Sequence, residues 1–446
     1  MGLRPRSGSA VTPAFRTVWT KARPLAQQAA WAAIEAAAAP AIQLMILPLL
    51  LTKMGAANVG FYTLGLALSS FGSLVTFGAA LAATKLIAED HARSDQRGAT
   101  ATANAAFVQA TVTLLVVTAL ILGFSPLLAK TLFSSMGDSD KLVRVFVFGV
   151  LFMLCQELDQ VCSGVLRGAL RYDKVAKVEL FIRILGGCLI ALSAWFTSDL
   201  SSVLVVTLLG ALIKLIAKYT LAAKHLRSYS WGFRRPSRNA LSRVFTFGRW
   251  QVLHIAGGLL FLSVDRLIVG AIFGAVDLAR YGICMQIAQF SHWVQAAAAQ
   301  LLLPLISSRS VKQQNFRAQP LLRYSIYGGL LCVVLPAVLA VLARPFLTIW
   351  IGEQFAEANT VLLQLLMLSF AVLSISIPVH FVLLATGGER FIGYLNLAGG
   401  LLSICASLYL VQFGLLAFAS GKLIFAISSA LNFLKLRVQL RESQAQ

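Results

Sequence analysis

"GAANVGFY" at 55–62 and "GAVDLARY" at 274–281 begin with the same Gly and end with the same Tyr, at an offset of 219 residues in a chain of 446. In that gap-free register Trp31 also meets Trp250, and Phe71 meets Phe290. Alanine matches are expected in a chain so rich in alanine; Trp, Tyr and Phe in one register are not. Each octapeptide lies between two long apolar runs. Its Gly therefore suits a turn where a side chain would be strained, and its Tyr a membrane boundary. An offset of half the chain predicts one unit used twice, and repeats holding six spans each share one orientation. "VLRGALRY" at 165–172 and "VLLATGGE" at 382–389 give a weaker echo, each after the fourth span of its half.

The composition agrees. Hydrophobic residues make up 58% of the chain, charged residues 12%, and the mean hydropathy is +0.79. A soluble domain carries about a quarter charged residues, so lipid is the solvent for most of this chain. A helix crosses the hydrocarbon with about 20 apolar residues. Twelve such runs are read at 29–53, 59–84, 101–125, 143–166, 178–197, 200–222, 251–273, 278–306, 321–343, 359–385, 391–411 and 413–435. They are two to three times too long for barrel strands of about 10 alternating residues. The expected fold is an all-α polytopic membrane protein of about twelve transmembrane helices in two sixes. Residues 1–28 form an N-terminal tail, 29–222 the first bundle, 223–250 a basic linker, 251–436 the second bundle and 437–446 a C-terminal tail. Within the linker, "RNALSRVFTFGRW" reads as an interfacial helix feeding the next span.

The net charge is +21. Most Lys and Arg fall in the two tails and in one alternate set of loops, among them "RGALRYDKVAK" and "KHLRSYSWGFRRPSRNALSRVFTFGR". Such loops are cytoplasmic, which puts both termini in the cytoplasm. The charge then reflects topology and anionic lipid, and no nucleic-acid partner is needed. The basic N-terminus leads into a run too long for a signal peptide, so no cleavage is expected. The six cysteines have no metal or redox spacing and read as small buried apolar residues.

Chemistry is sought among charges inside the spans, because a charge at the bilayer centre costs about 2.5–3.5 kcal/mol and faces a bundle interior or a cavity. Arg183, Lys214 and Lys422, in "FIRILGG", "GALIKLIAK" and "ASGKLIFAI", read as isolated cations. Asp265 and Arg266 are adjacent in "LSVDRLIVG" and project about 100° apart on a helix. Glu157 and Asp159 in "CQELDQ" do not share a face, which argues against a carboxylate dyad. Arg183, Lys214, Arg266 and Lys422 are the candidate cationic cavity. Asp265, Glu35, Glu157, Asp159 and His254 are candidates for coupling or gating. The competing reading of each acid is an interhelical bond that sets register, and for Glu35 a position at the interface. The histidines read first as core residues. No catalytic motif, cofactor site or large extramembrane domain is evident, so a secondary transporter is expected rather than an enzyme, its energy coming from a gradient, of H+ or Na+, or from the substrate.

The two sixes, together with "SVDRLIVGAIFGAVDLARYGICMQIAQF" and its counterpart "LPLLLTKMGAANVGFYTLGLALSSF", resemble the Wzx-type polysaccharide and O-antigen flippases. These belong to the multidrug/oligosaccharidyl-lipid/polysaccharide exporter superfamily, and the resemblance runs from about Trp31 to Leu436. It implies two bundles in a V around a central cavity. The implied cargo is an undecaprenyl-diphosphate-linked glycan, moved across the bacterial cytoplasmic membrane for surface or exopolysaccharide synthesis. A polysaccharide polymerase and export machinery are implied as partners. The cationic residues of both halves suit the diphosphate. A cation-coupled multidrug antiporter should be dominated by intramembrane acids, and lipid II flippases resemble fourteen-span proteins. A membrane polymerase would need a large outer loop, and a scaffold would not need cavity charges.

Overall fold

The computed structural model describes residues 13–226, 235–300, 318–386 and 388–445, and they are helical without a strand. In the first half the helices are α1 (Pro13–Ser69), α2 (Gly72–Val75), α3 (Ala79–Ala92), α4 (Gln96–Thr131), α5 (Ser139–Gly168), α6 (Tyr172–Thr197) and α7 (Leu200–His225). The second half holds α8 (Arg238–Leu262), α9 (Val264–Gln300), α10 (Ala318–Val341), α11 (Ala343–Trp350), α12 (Glu353–Ile375) and α13 (Ile377–Ala385). It closes with α14 (Glu389–Leu410), α15 (Leu415–Ser420), α16 (Lys422–Ser428) and α17 (Leu431–Ala445). Eight helical segments among the described residues are long and apolar enough to cross a membrane. Two of them, Pro40–Val75 and Gln251–Ala296, each contain a sharp bend and so hold two of the expected runs.

Those bends are the two glycines of the repeated octapeptide. Gly55 has φ 77° and ψ 161°, and Gly274 has φ 86° and ψ −175°. Both values lie in the positive-φ region that glycine reaches without strain. Short polar side chains start the other helices. The carboxylates of Asp95, Asp138 and Asp199 accept from the backbone N–H of Gly98, Lys141 and Ser202, and the Ser237 hydroxyl accepts from that of Ala240. These are N-caps that satisfy otherwise orphaned donors.

Within the first half α5 packs on α1, α3, α4 and α7, and α6 packs on α1 and α7. In the second half α12 packs on α9, α10 and α16, and α14 on α8 and α16. The halves meet at both ends of the molecule. At the end carrying the bends, α1 lies along α9, and a side chain on Gly60 would collide with the Ala275 carbonyl at 1.9 Å. A 3-10 turn at Ser134–Met136 joins them there, where the Ser135 hydroxyl donates to the carbonyls of Gly270 (3.1 Å) and Ala271 (2.6 Å). At the end carrying the basic loops, the first turns of α8 lie on α3 and α4. There Ala240 and Val244 are buried in the first half's core. Arg243 pairs with the buried Asp90 at 2.9 Å, and Phe77 meets Phe245 with ring centroids 5.4 Å apart. The basic segment from Arg238 thus runs unbroken into its span while straddling the two halves.

Two further helix breaks fall at charged or polar side chains. The second run bends through α2, and past it Phe77 and Gly78 have positive φ. The seventh run breaks at Ser263, between α8 and α9. The cysteines depart in part from expectation: Cys188 and Cys405 lie on exposed faces of α6 and α14, where the surroundings are lipid.

Candidate functional site

Three helices of the first half each supply a pair of polar residues one turn apart. They are Asp159 and Ser163 on α5, Glu179 and Arg183 on α6, and Lys214 and Lys218 on α7. Residues four apart share a helix face, and the three faces converge. Asp159 Oδ2 accepts from Lys218 Nζ at 3.0 Å and lies 3.3 Å from Lys214 Nζ. Glu179 Oε1 takes Lys214 at 3.1 Å and Arg183 Nε at 2.5 Å, and its Oε2 takes Lys218. Lys218 also donates to Ser163 Oγ at 2.9 Å. Lys218, Asp159 and Glu179 are fully enclosed, whereas the Arg183 side chain is 33% exposed.

This network corrects the reading of isolated cations. Arg183 has an acid one turn earlier on its own helix, and Lys214 meets two acids from other helices. Lys218, which sequence reasoning missed, sits at the centre. Its signal was the four-residue spacing from Lys214 in "IKLIAK". As ionised groups, three cations face two carboxylates, so one positive charge remains uncompensated. Arg183 and Lys214 carry that surplus to the wall of a pocket of about 180 Å³, which Gln43, Tyr62 and Thr207 also line.

A second, smaller recess shares Gln43, Leu47, Tyr62 and Leu66 with this pocket, and Arg266 of the second half lines it. Arg266 donates to Gln289 Oε1 at 2.6 Å, and its buried Nε has no hydrogen-bond partner. No carboxylate lies within ion-pair distance of it among the described residues. Three of the four expected cations therefore border two adjoining spaces, a pocket lined by the first half and a recess shared by both halves.

Lys422 does not line either space, contrary to its assignment to the cavity. It is enclosed in a clamp where Asp265 Oδ2 receives Lys422 Nζ at 2.8 Å and the Tyr281 hydroxyl at 2.5 Å. The Lys422 ammonium also reaches the Phe261 carbonyl and lies 4.4 Å from the centroid of the Phe261 ring. The helix break at Ser263 is the physical reason. It frees the last carbonyls of α8, and cationic or amide donors cap such carbonyls. Gln289 Nε2 does so for Leu262 at 3.1 Å. Asp265 and Arg266 project apart, one into the clamp and one toward the recess.

Glu157 and Asp159 likewise point to different places. Glu157 accepts from Thr76 Oγ1 at 3.1 Å and packs against the bend at α2, where a side chain on Gly72 would overlap it. His254 lies by the basic face in a recess with Lys85, Glu389 and Arg390, its ring 6.4 Å from that of His380. The side chain of Glu35 lies outside the described residues, as do those of Trp31 and Trp250. Among the described residues no group of His, Cys, Asp and Glu could hold a metal ion.

A family model described as "Polysaccharide biosynthesis protein" matches residues 60–360. The chain belongs to this polysaccharide biosynthesis family. The matched stretch contains the whole first-half network and Arg266. Among named relatives, "Uncharacterized membrane protein EpsK" of Bacillus subtilis (strain 168) is 27% identical over 188 residues, 41% of this chain and 36% of that protein. "Probable low-salt glycan biosynthesis flippase Agl15" of Haloferax volcanii is 23% identical over 223 residues, 49% of this chain and 45% of that protein. The matched stretches thus span less than half of either relative. Among solved structures, an inward-facing multidrug resistance MATE family transporter of the MOP superfamily superposes with a TM-score of 0.74 at 13% identity. It covers 93% of this chain and 99% of its own. The lipid II flippase MurJ in an inward closed conformation gives 0.69 at 12%, covering 91% and 89%. At these identities the likeness establishes the fold. Family and fold together make this a multi-pass membrane protein of transporter architecture rather than an enzyme fold.

Proposed function

We propose that the protein is a flippase. It moves an undecaprenyl-diphosphate-linked oligosaccharide from the inner to the outer leaflet of the bacterial cytoplasmic membrane, for surface or exopolysaccharide synthesis. The observation that carries this reading is the surplus of cations on two adjoining spaces, a first-half pocket and a recess shared by both halves. Arg183 and Lys214 on one pocket and Arg266 on the adjoining recess are placed to meet one diphosphate from both halves. Two phosphates take up such charge through charge-assisted hydrogen bonds, and arginine does so with a planar fork. The family match and the named glycan flippase among the relatives support the same cargo class.

The first-half pocket takes the diphosphate, and the sugars pass when the halves separate at one end, which is alternating access. Basic loops put the Asp90–Arg243 end in the cytoplasm, with both termini, and the glycine bends on the outer side. Coupling to H+ or Na+ is assigned to Asp265, whose buried Oδ1 has no hydrogen-bond partner. A polymerase on the outer side would consume the delivered unit. A multidrug antiporter for cationic compounds fits less well, because Asp159, Glu179 and Asp265 are each neutralised by bases. Deletion of the gene tests the proposal. Lipid-linked oligosaccharide should accumulate on the cytoplasmic leaflet. Unchanged delivery to the outer leaflet, with altered drug tolerance instead, would defeat it.

A further inference from the structure

An apolar groove of about 600 Å³ runs between α6 and α7 on the lipid-facing side of the first half. Its walls include Phe181, Leu185, Leu209 and Ile213, all exposed. Its floor is made by Gly186 and Gly210, near the middle of each helix, where a Cβ would meet nothing within 4 Å. Glycine in a membrane helix usually lets a neighbouring helix approach closely. These two glycines instead leave space.

The groove is continuous with the cationic pocket. Ile182, Gly186, Val206 and Gly210 line both. One side of these residues faces lipid, and the other faces Arg183 and Lys214. A ligand that fills both spaces has an anionic head and a single long apolar tail that stays in the bilayer. From Lys177 to Leu189 the groove extends roughly 18 Å at 1.5 Å rise per residue. That length holds part of a polyisoprenoid chain.

We propose that the α6–α7 groove is the seat of the polyprenyl tail of the diphosphate-linked cargo, with the gap over Gly186 and Gly210 as the passage joining tail to head. The proposal rests on the diphosphate reading of the cargo. The tail remains in lipid at mid-membrane depth while the head occupies the pocket. The substrate then enters sideways through the first half, and the halves need not open to lipid. Filling the passage separates tail binding from head binding.

The test compares binding of undecaprenyl diphosphate and farnesyl diphosphate to the purified full chain in detergent. The variants are Gly186→Leu and Gly210→Leu, with Gly123→Leu as control. Gly123 lies on α4, away from the groove, and has equally open space above it. Leucine is a better helix former than glycine, so all three should fold. The wild type and the Gly123 variant should bind the long chain at least tenfold tighter than the short one. The two groove variants should lose that preference, the long chain's affinity falling to that of the short one. If they keep the preference, the groove is not the tail site, and the diphosphate reading survives. If the wild type binds neither diphosphate, the reading of the cargo fails and the groove proposal falls with it.

Discussion

Lys218 is the residue on which the first-half network turns. It is fully enclosed and contacts both Asp159 and Glu179. Removing it leaves buried oxygens of Asp159, Ser163 and Glu179 without the donor they share, and a buried polar group left unsatisfied costs about 1–3 kcal/mol. Lys218→Met should therefore lower the thermal unfolding midpoint sharply in detergent. Arg183, a third exposed, forms the outermost pair, and Arg183→Gln should cost less than about 1 kcal/mol of stability. If the two variants unfold alike, the division into a structural centre and a binding rim is wrong. Half of this network was visible before the structure. Glu179 stands four residues before Arg183, and Lys218 four after Lys214. What the sequence does not contain is the convergence of α5, α6 and α7, so the acid partners of Lys214 and Lys422 could not be read from neighbours in the chain. The same limit explains why Lys422 was assigned to a cavity. Its partner Asp265 is far away in sequence, and the break that recruits it carries no proline.

At the scale of the element, the bends at Gly55 and Gly274 were legible because both the residue type and its register repeat. The bend through α2 was not, since 59–84 reads as one run. The break at Ser263 was not, since side chains from other helices stabilise it. Different glycines of one hairpin should respond differently to substitution. Gly55→Ala meets no neighbour but must hold a backbone conformation almost confined to glycine, which costs about 1–3 kcal/mol and leaves the packing intact. Gly60→Leu drives a side chain into the Ala275 backbone and should prise apart the outer contact between the halves. In a cysteine-free background, a Gln43→Cys reporter in the central pocket should then react faster with a membrane-impermeant maleimide added outside. Equal labelling with and without Gly60→Leu would show that this contact is no gate.

Across the whole molecule, the halves are in contact at both ends, at Gly60 and Ala275 on one and at Asp90 and Arg243 on the other. Transport must break one closure at a time. Phe77 and Phe245 are in ring contact beside the Asp90–Arg243 pair on the basic face. A Phe77→Cys/Phe245→Cys variant, oxidised to a disulfide, should stop transport, and reduction should restore it; transport that continues in the cross-linked protein would exclude opening at that face. The loop charges and the repeated octapeptide carry the expectation of orientation and of two halves, while the straddling position of α8 required the packing itself. The binding role of the cations is tested most directly in proteoliposomes that hold only this protein and a fluorescent undecaprenyl-diphosphate-linked oligosaccharide. Wild type should bring the oligosaccharide to the opposite leaflet. Arg183→Gln with Arg266→Gln should slow that at least tenfold while the fold stays as stable as the single variants. An unchanged rate in the double variant would mean that these cations do not carry the diphosphate.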